Sequence, residues 1–121
     1  MSGRFPRAGA DERRLRVARV EDVPRFELRP GVESAIVPGT NLTLSFLRLS
    51  SGLDARLHSH PEEQAVVVLE GELDLVAGGQ TYHVKAGDVA VIPGGIPHSA
   101  VTQDQACRVL DIFSPARKDF E

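Results

Sequence analysis

LHSHPEEQAVVVLEGELDLVAGG, residues 57–79, decides how the rest of the chain is read. Its second half reads as two short apolar strands that pivot about Glu70-Gly71 and end in Gly78-Gly79. Its first half sets His58 and His60 at alternate positions, in a chain with 4 histidines. On extended backbone, residues i and i+2 project to the same face a few ångströms apart. The stretch therefore announces strands and a candidate pair of metal donors together.

Working outward, the same pattern repeats. NLTLSFLRL (41–49) alternates Leu42, Leu44 and Phe46 against Thr43 and Ser45. QTYHV (80–84) and DVAVI (88–92) flank an Ala-Gly turn, and PHSAVT (97–102) and ACRVLDIF (106–113) complete the series. Short segments punctuated by glycine and proline predict an all-β sandwich or barrel. Helical spacing is confined to ERRLRVARV, near the N-terminus. No fixed-period repeat is present.

At 121 residues the chain fits one domain, and its 26% charged residues and net charge of −3 give no footprint for nucleic acid or an anionic membrane. The arginine-rich start lacks the apolar core of a secretory signal, and no run approaches the ~18 apolar residues of a membrane-spanning helix. A lone cysteine, Cys107, provides no disulfide framework. These features predict a flexible basic tail over 1–14, a domain over 15–121 and a cytoplasmic protein.

A divalent metal needs imidazole nitrogens or oxygens converging on one point. His58 and His60 meet this locally if residues 56–60 are extended, and Gln64, opening the next strand, can return its side-chain oxygen to the same point. A remote donor is His98, in GDVAVIPGGIPHSAV (87–101), set by a Pro-Gly-Gly turn and by Pro97 before it. In RVLDIFSPARKDF (108–120), Cys107, Val109, Asp111 and Phe113 share one face of an extended run, with Arg108, Leu110 and Ile112 on the other. If the first face looks inward, Asp111 enters the metal's cavity. Arg117 follows a Ser-Pro turn able to fold it over the rim.

With these residues in place the chain resembles the cupin family. The first cupin motif, G-x5-H-x-H-x3,4-E-x6-G, is matched by Gly52, His58, His60 and Gly71, with Gln64 in the position of the Glu. The second, G-x5-P-x-G-x2-H-x3-N, is matched by Gly87, Pro93, Gly95 and His98, with Thr102 in the position of the Asn. The resemblance implies a double-stranded β-helix, or jelly-roll barrel, with one divalent metal held in its mouth by His58, His60, Gln64 and His98. It also implies a homodimer paired through N-terminal strands, for which residues 17–37 offer an edge. His83 matches no ligand position and reads as an ordinary strand residue.

An amide in place of a carboxylate leaves the metal's charge uncompensated, which favours anionic ligands and Lewis-acid chemistry over oxygen activation. Imidazole donors suit Zn, Fe, Ni or Cu, with Mn also a candidate. H-x-H-P-x-x-Q together with D-x-F-S-P-x-R-x-D-F is similar to the pectin-degradation cupins of the KdgF type, which open the ring of 4,5-unsaturated monouronates. That similarity assigns catalysis and substrate contact to Asp111, Phe113 and Arg117. The other functions weighed are an aromatic polyketide cyclase, a dioxygenase, and a non-catalytic ligand sensor, for which these 121 residues show no helix-turn-helix segment.

Overall fold

The computed structural model describes residues 14–120, and its regular structure is almost wholly strand. The strands are β1 (Phe26–Arg29), β2 (Val32–Pro38), β3 (Thr43–Leu49), β4 (Glu63–Glu70), β5 (Glu72–Ala77), β6 (Gln80–Lys85), β7 (Val89–Ile92), β8 (His98–Val101) and β9 (Cys107–Ser114). They form two antiparallel sheets, one ordered β1-β2-β3-β9-β4-β7 and the other β6-β5-β8. This is the expected all-β double-stranded β-helix.

The connections after β4, β6, β7 and β8 pass the chain from one sheet to the other. At the first, Gly71 adopts φ +81°, and a Cβ there would lie 2.8 Å from the Ala106 carbonyl oxygen. Both the dihedral and the close approach require glycine. Thr102, in the position where the resemblance expects Asn, is buried and staples the barrel's far edge. Its hydroxyl donates to the Ser50 carbonyl and accepts from the Leu53 N–H at 2.9 Å.

The register of the six-stranded sheet sorts its side chains into rows. Facing inward are Thr43–Phe113–Gln64–Ile92, then Ser45–Asp111–Val66–Ala90, then Leu47–Val109–Val68, then Leu49–Cys107. The interior is thus polar at one end and apolar at the other. The apolar end is the core, where Leu47, Leu49, Val66, Val68 and Val109 meet Leu73 and Leu75 of the smaller sheet. The alternation read in NLTLSFLRL is present, and its polar members are the ones that face in: Thr43 and Ser45 are fully buried while Leu44 and Phe46 lie on the outer face. Cys107 belongs to this core, where burial and the nearby Glu70 and Glu72 push its thiol up to about 11, leaving it an unreactive apolar filler.

Residues 17–37 do supply an edge strand, β1, beside β2. Over 14–19 the helical spacing of ERRLRVARV is not realised. The chain is irregular there, followed by a short 3-10 turn over Val20–Asp22. Most of the expected basic tail, residues 1–13, lies outside the described residues. No helix among the described residues is long and apolar enough to cross a membrane.

Candidate functional site

The polar end of the barrel brings His58, His60 and His98 together, with their donor atoms within 4.8 Å of one another. The expectation of an extended 56–60 segment is met only at one point. Residues 59–62 form no strand, and His58 instead makes an isolated bridge to His98, with N–H···O distances of 2.9 and 2.8 Å. A second strap joins the two loops, as the Gly95 N–H donates to the His60 carbonyl at 2.8 Å. Between them Gly94 lies so close to the other loop that a Cβ would meet the Pro61 carbonyl oxygen at 2.1 Å. The two histidine-bearing loops are therefore held by backbone contacts, independently of their side chains.

The hydrogen bonds of the imidazoles decide which nitrogen is available. Each Nδ1 lies against a backbone carbonyl two residues away: His58 on Arg56 at 3.0 Å, His60 on Glu62 at 3.0 Å and His98 on Ile96 at 2.8 Å. A carbonyl only accepts, so the Nδ1 of His58 and of His98 carries the proton and their Nε2 presents a lone pair to the shared centre, whereas His60 has an oxygen acceptor at each nitrogen. His98 Nε2 is buried and has no hydrogen-bond partner among the described residues. Burial holds His58 and His98 below their ordinary value, which keeps both imidazoles neutral. Three converging imidazoles, each held through its Nδ1 by a backbone carbonyl, fit a divalent transition metal.

Gln64, at the start of β4, stands beside them. Its Oε1 is 2.9 Å from His60 Nε2, and its side chain also hydrogen-bonds Asp111. With Nδ1 on the Glu62 carbonyl and Nε2 on the Gln64 oxygen, His60 cannot donate to both as a neutral ring, so one tautomer leaves its Nε2 lone pair beside the amide oxygen as a pair of potential metal donors. The amide N–H2 is the end that serves the Asp111 carboxylate. Glutamate at position 64 would instead set two carboxylates against each other.

Asp111 faces inward from β9, in the row with Ser45 and Val66. Burial pushes its carboxyl up to about 7, against the opposing pull of the Gln64 hydrogen bond and the charges of Arg29 and Arg117. Phe113, on the same face, sets its ring edge-on to His60 with centroids 5.4 Å apart. The Arg117 guanidinium lies 5.0 Å from the centre of that ring, and its backbone N–H is anchored on Thr43 Oγ1 at 2.9 Å. Its fork is engaged by Asp119, at 3.2 Å from Nε and 2.7 Å from Nη2. All the sequence-derived candidates thus meet at one mouth. His83 does not, and pairs on the outside with Asp74 at 2.8 Å.

Two residues at the mouth escaped the sequence reading. Glu62 Oε1 is buried between His60 Nδ1, 3.5 Å away, and Arg117 Nε, 3.9 Å away. Nothing in PEEQ separates it from the exposed Glu63, except that Pro61 turns the chain between them and the histidines. The other is Arg29, from β1, which lines the same cavity as Arg117.

A family model described as a cupin domain (Cupin_2) matches residues 45–113. The pectin degradation protein KdgF of Dickeya dadantii is 26% identical over 102 residues, covering 83% of this chain and 93% of that protein. The HTH-type transcriptional regulator PuuR of Escherichia coli is 42% identical over 57 residues, covering 46% of this chain, so the match spans only 31% of the regulator's length. Among solved structures, KdgF from a Halomonas species superposes with a TM-score of 0.78 at 24% identity, over 84% of this chain and 94% of that one. The polyketide cyclase RemF of Streptomyces resistomycificus superposes at 0.75 with 28% identity, over 87% and 82%.

Proposed function

This chain belongs to the cupin family, and we propose that it is a metal-dependent enzyme that opens the ring of 4,5-unsaturated monouronates or of a closely related small anionic sugar. His58, His60, His98 and, through its amide oxygen, Gln64 would hold a divalent transition metal, with Zn, Ni, Fe and Mn as candidates. The observation that carries the reading is the Gln64 amide, reaching the imidazoles with its oxygen and Asp111 with its nitrogen. The similarity to KdgF over most of both chains supports it.

When bound, the metal supplies Lewis-acid stabilisation of the negative charge that develops on substrate oxygen. The remaining steps belong to the protein. Asp111 accepts the proton of the C1 hydroxyl as the C1–O5 bond breaks, giving the aldehyde and leaving O5 as an enolate oxygen on C5. The same group returns a proton to C4, completing the ketone, so the reaction is an isomerisation without oxidant or reductant. In the metal-free protein burial raises the Asp111 carboxyl to about 7, in the range suited to a group that takes and returns a proton. Phe113 supplies an apolar wall, and Arg117, stacked on that wall, orients the sugar.

A cyclase of fused aromatic rings is the competing enzyme. The cavity encloses about 70 Å³, well under the ~300–1,000 Å³ of pockets that engulf drug-sized ligands. That favours a monosaccharide reaching in from the mouth. The test is addition of metal-loaded protein to 4,5-unsaturated galacturonate or guluronate, with the alkene's ultraviolet absorbance followed. Accelerated loss that a chelator abolishes supports ring opening. Tight uronate binding without turnover reassigns the domain to ligand sensing, and oxygen uptake by the iron-loaded protein reassigns it to oxidation.

We further propose a homodimer paired through the outer face of the six-stranded sheet. Val89 and Val91 on its edge strand β7 are each 62% exposed, and Leu15 and Val17, alternating on the irregular N-terminal segment, are 89% and 82% exposed. One chain thus carries both an apolar edge and an apolar strap able to cover the same edge of a second copy.

A further inference from the structure

β1 is a short edge strand whose pairing with β2 slips by one residue. Phe26 stands opposite Ser34 and Glu27 opposite Glu33, but Arg29, rather than Leu28, stands opposite Val32. In an unbroken antiparallel ladder Leu28 would take that place, and Arg29 would fall on the outer face with Glu27. The bulge moves it by one position, and one position in a strand is a change of face. Val32 points into the barrel, where it is 2% exposed, so Arg29 shares the inward side and lines the cavity.

The electrostatic surroundings give this placement its meaning. Arg29 acts on both His58 and Asp111 through its charge, which puts its guanidinium over the same mouth as the candidate metal centre and the buried acid. Arg117 lines the same cavity, but its fork is gripped by Asp119 and its Nε lies 3.9 Å from Glu62. Arg29 has no hydrogen bond or ion pair to any described residue, and its side chain remains open to solvent at the rim. A bulge spent on turning a long cation inward, toward a buried acid that it does not hydrogen-bond, leaves a donor fork for something that arrives from outside.

We propose that Arg29 is a specificity-determining residue that binds the carboxylate of an anionic sugar in the cavity it lines together with Arg117. This rests on, and deepens, the reading of the site as one for a small anionic sugar. The planar guanidinium matches a carboxylate through two parallel N–H···O bonds, which an ester or a neutral sugar cannot accept with the same charge. The partly neutralised Arg117 then orients the ring against Phe113, while Arg29 supplies the uncompensated positive charge that separates acids from their neutral analogues.

The test uses the metal-loaded full chain and calorimetric titration with D-galacturonate, which lacks the reactive alkene, and with its methyl ester. Wild type should prefer the acid by roughly 10- to 100-fold, the range of a charge-assisted pair. Arg29→Gln should bring that ratio to within about threefold while leaving ester binding and metal content unchanged. Arg29→Lys should recover part of the preference, since it returns the charge without the fork. An Arg29→Gln protein that keeps the full preference overturns the proposal, as does a wild type with no preference for the acid. Turnover of the unsaturated uronate, run in parallel, separates this from the reaction itself. Acid preference lost in Arg29→Gln without turnover in any variant sinks ring opening alone. Turnover with an unchanged KM in Arg29→Gln sinks the role of Arg29 alone.

Discussion

The two faces of the six-stranded sheet invert the usual distribution of side chains. Its inner face, at the mouth, buries Thr43, Ser45, Gln64 and Asp111. Its outer face carries apolar side chains in two adjacent rows, Val37–Leu44–Ile112–Ala65–Val91 and Ala35–Phe46–Leu110–Val67–Val89, of which only Ala35 is fully buried. A third row, Glu33–Arg48–Arg108–Glu70, rims them with charge. Buried polar groups cost free energy, and apolar rows left half-buried, with Val89 and Val91 exposed at one edge, gain less than a covered face would. The inner departure suits a small polar ligand, and the outer one is the face of the proposed dimer.

The comparison is broken most sharply at Asp111. Asp111→Asn keeps the shape and removes the transferable proton, so turnover of an unsaturated uronate should fall by ~10²–10⁴ with metal content unchanged. Activity within a few-fold of wild type would reduce the inner face to a polar core. A smaller effect is expected at Gly94, where any side chain parts the two histidine-bearing loops. Gly94→Ala should weaken metal affinity by ~10–100-fold, comparable to loss of a ligand's supporting hydrogen bond, as read by competition with a chromogenic chelator.

The third test is the pH dependence of stability in protein stripped of metal. The folded Asp111 lies near 7, above its ordinary 3.8, so the folded state binds more protons than the unfolded one between these values. Its contribution is full below about 4 and fades as pH rises through 7. His58 and His98, held below 6.5, act in the opposite sense within that window. Asp111→Asn should therefore leave a stability that rises towards neutrality, where wild type is flatter or falls. The smallest effect on the folded monomer belongs to the outer face. Val91→Lys should change thermal stability of the monomer by no more than ~0.5 kcal/mol, yet convert the dimer to monomer in light scattering. An unchanged dimer would move the interface elsewhere.

Much of this was legible because period-two runs and fixed histidine spacing are local signals. The strands of residues 41–113, the convergence of His58, His60 and His98, and the proximity of Gln64 all followed from them. The faces were harder. NLTLSFLRL alternates clearly, but nothing in nine residues says that Thr43 and Ser45, rather than the leucines, turn inward; that depends on Asp111 and Gln64 arriving from two other strands. Arg29 was hidden for a sharper reason, since a single slipped residue cannot be read from FELRP and yet decides which side the guanidinium takes. Gly94 looked like one more turn residue, while its constraint comes from Pro61, 33 positions earlier.

That contact between Gly94 and Pro61 has a consequence for how the site would take up a cation. Main chain, not metal, clasps the loops, so the nest is ready-made and a bound ion would be a guest rather than a keystone. Loading and stripping become events at an open doorway that leave the walls standing. Which ion resides there is then decided by supply and by donor chemistry, with no refolding to select among them.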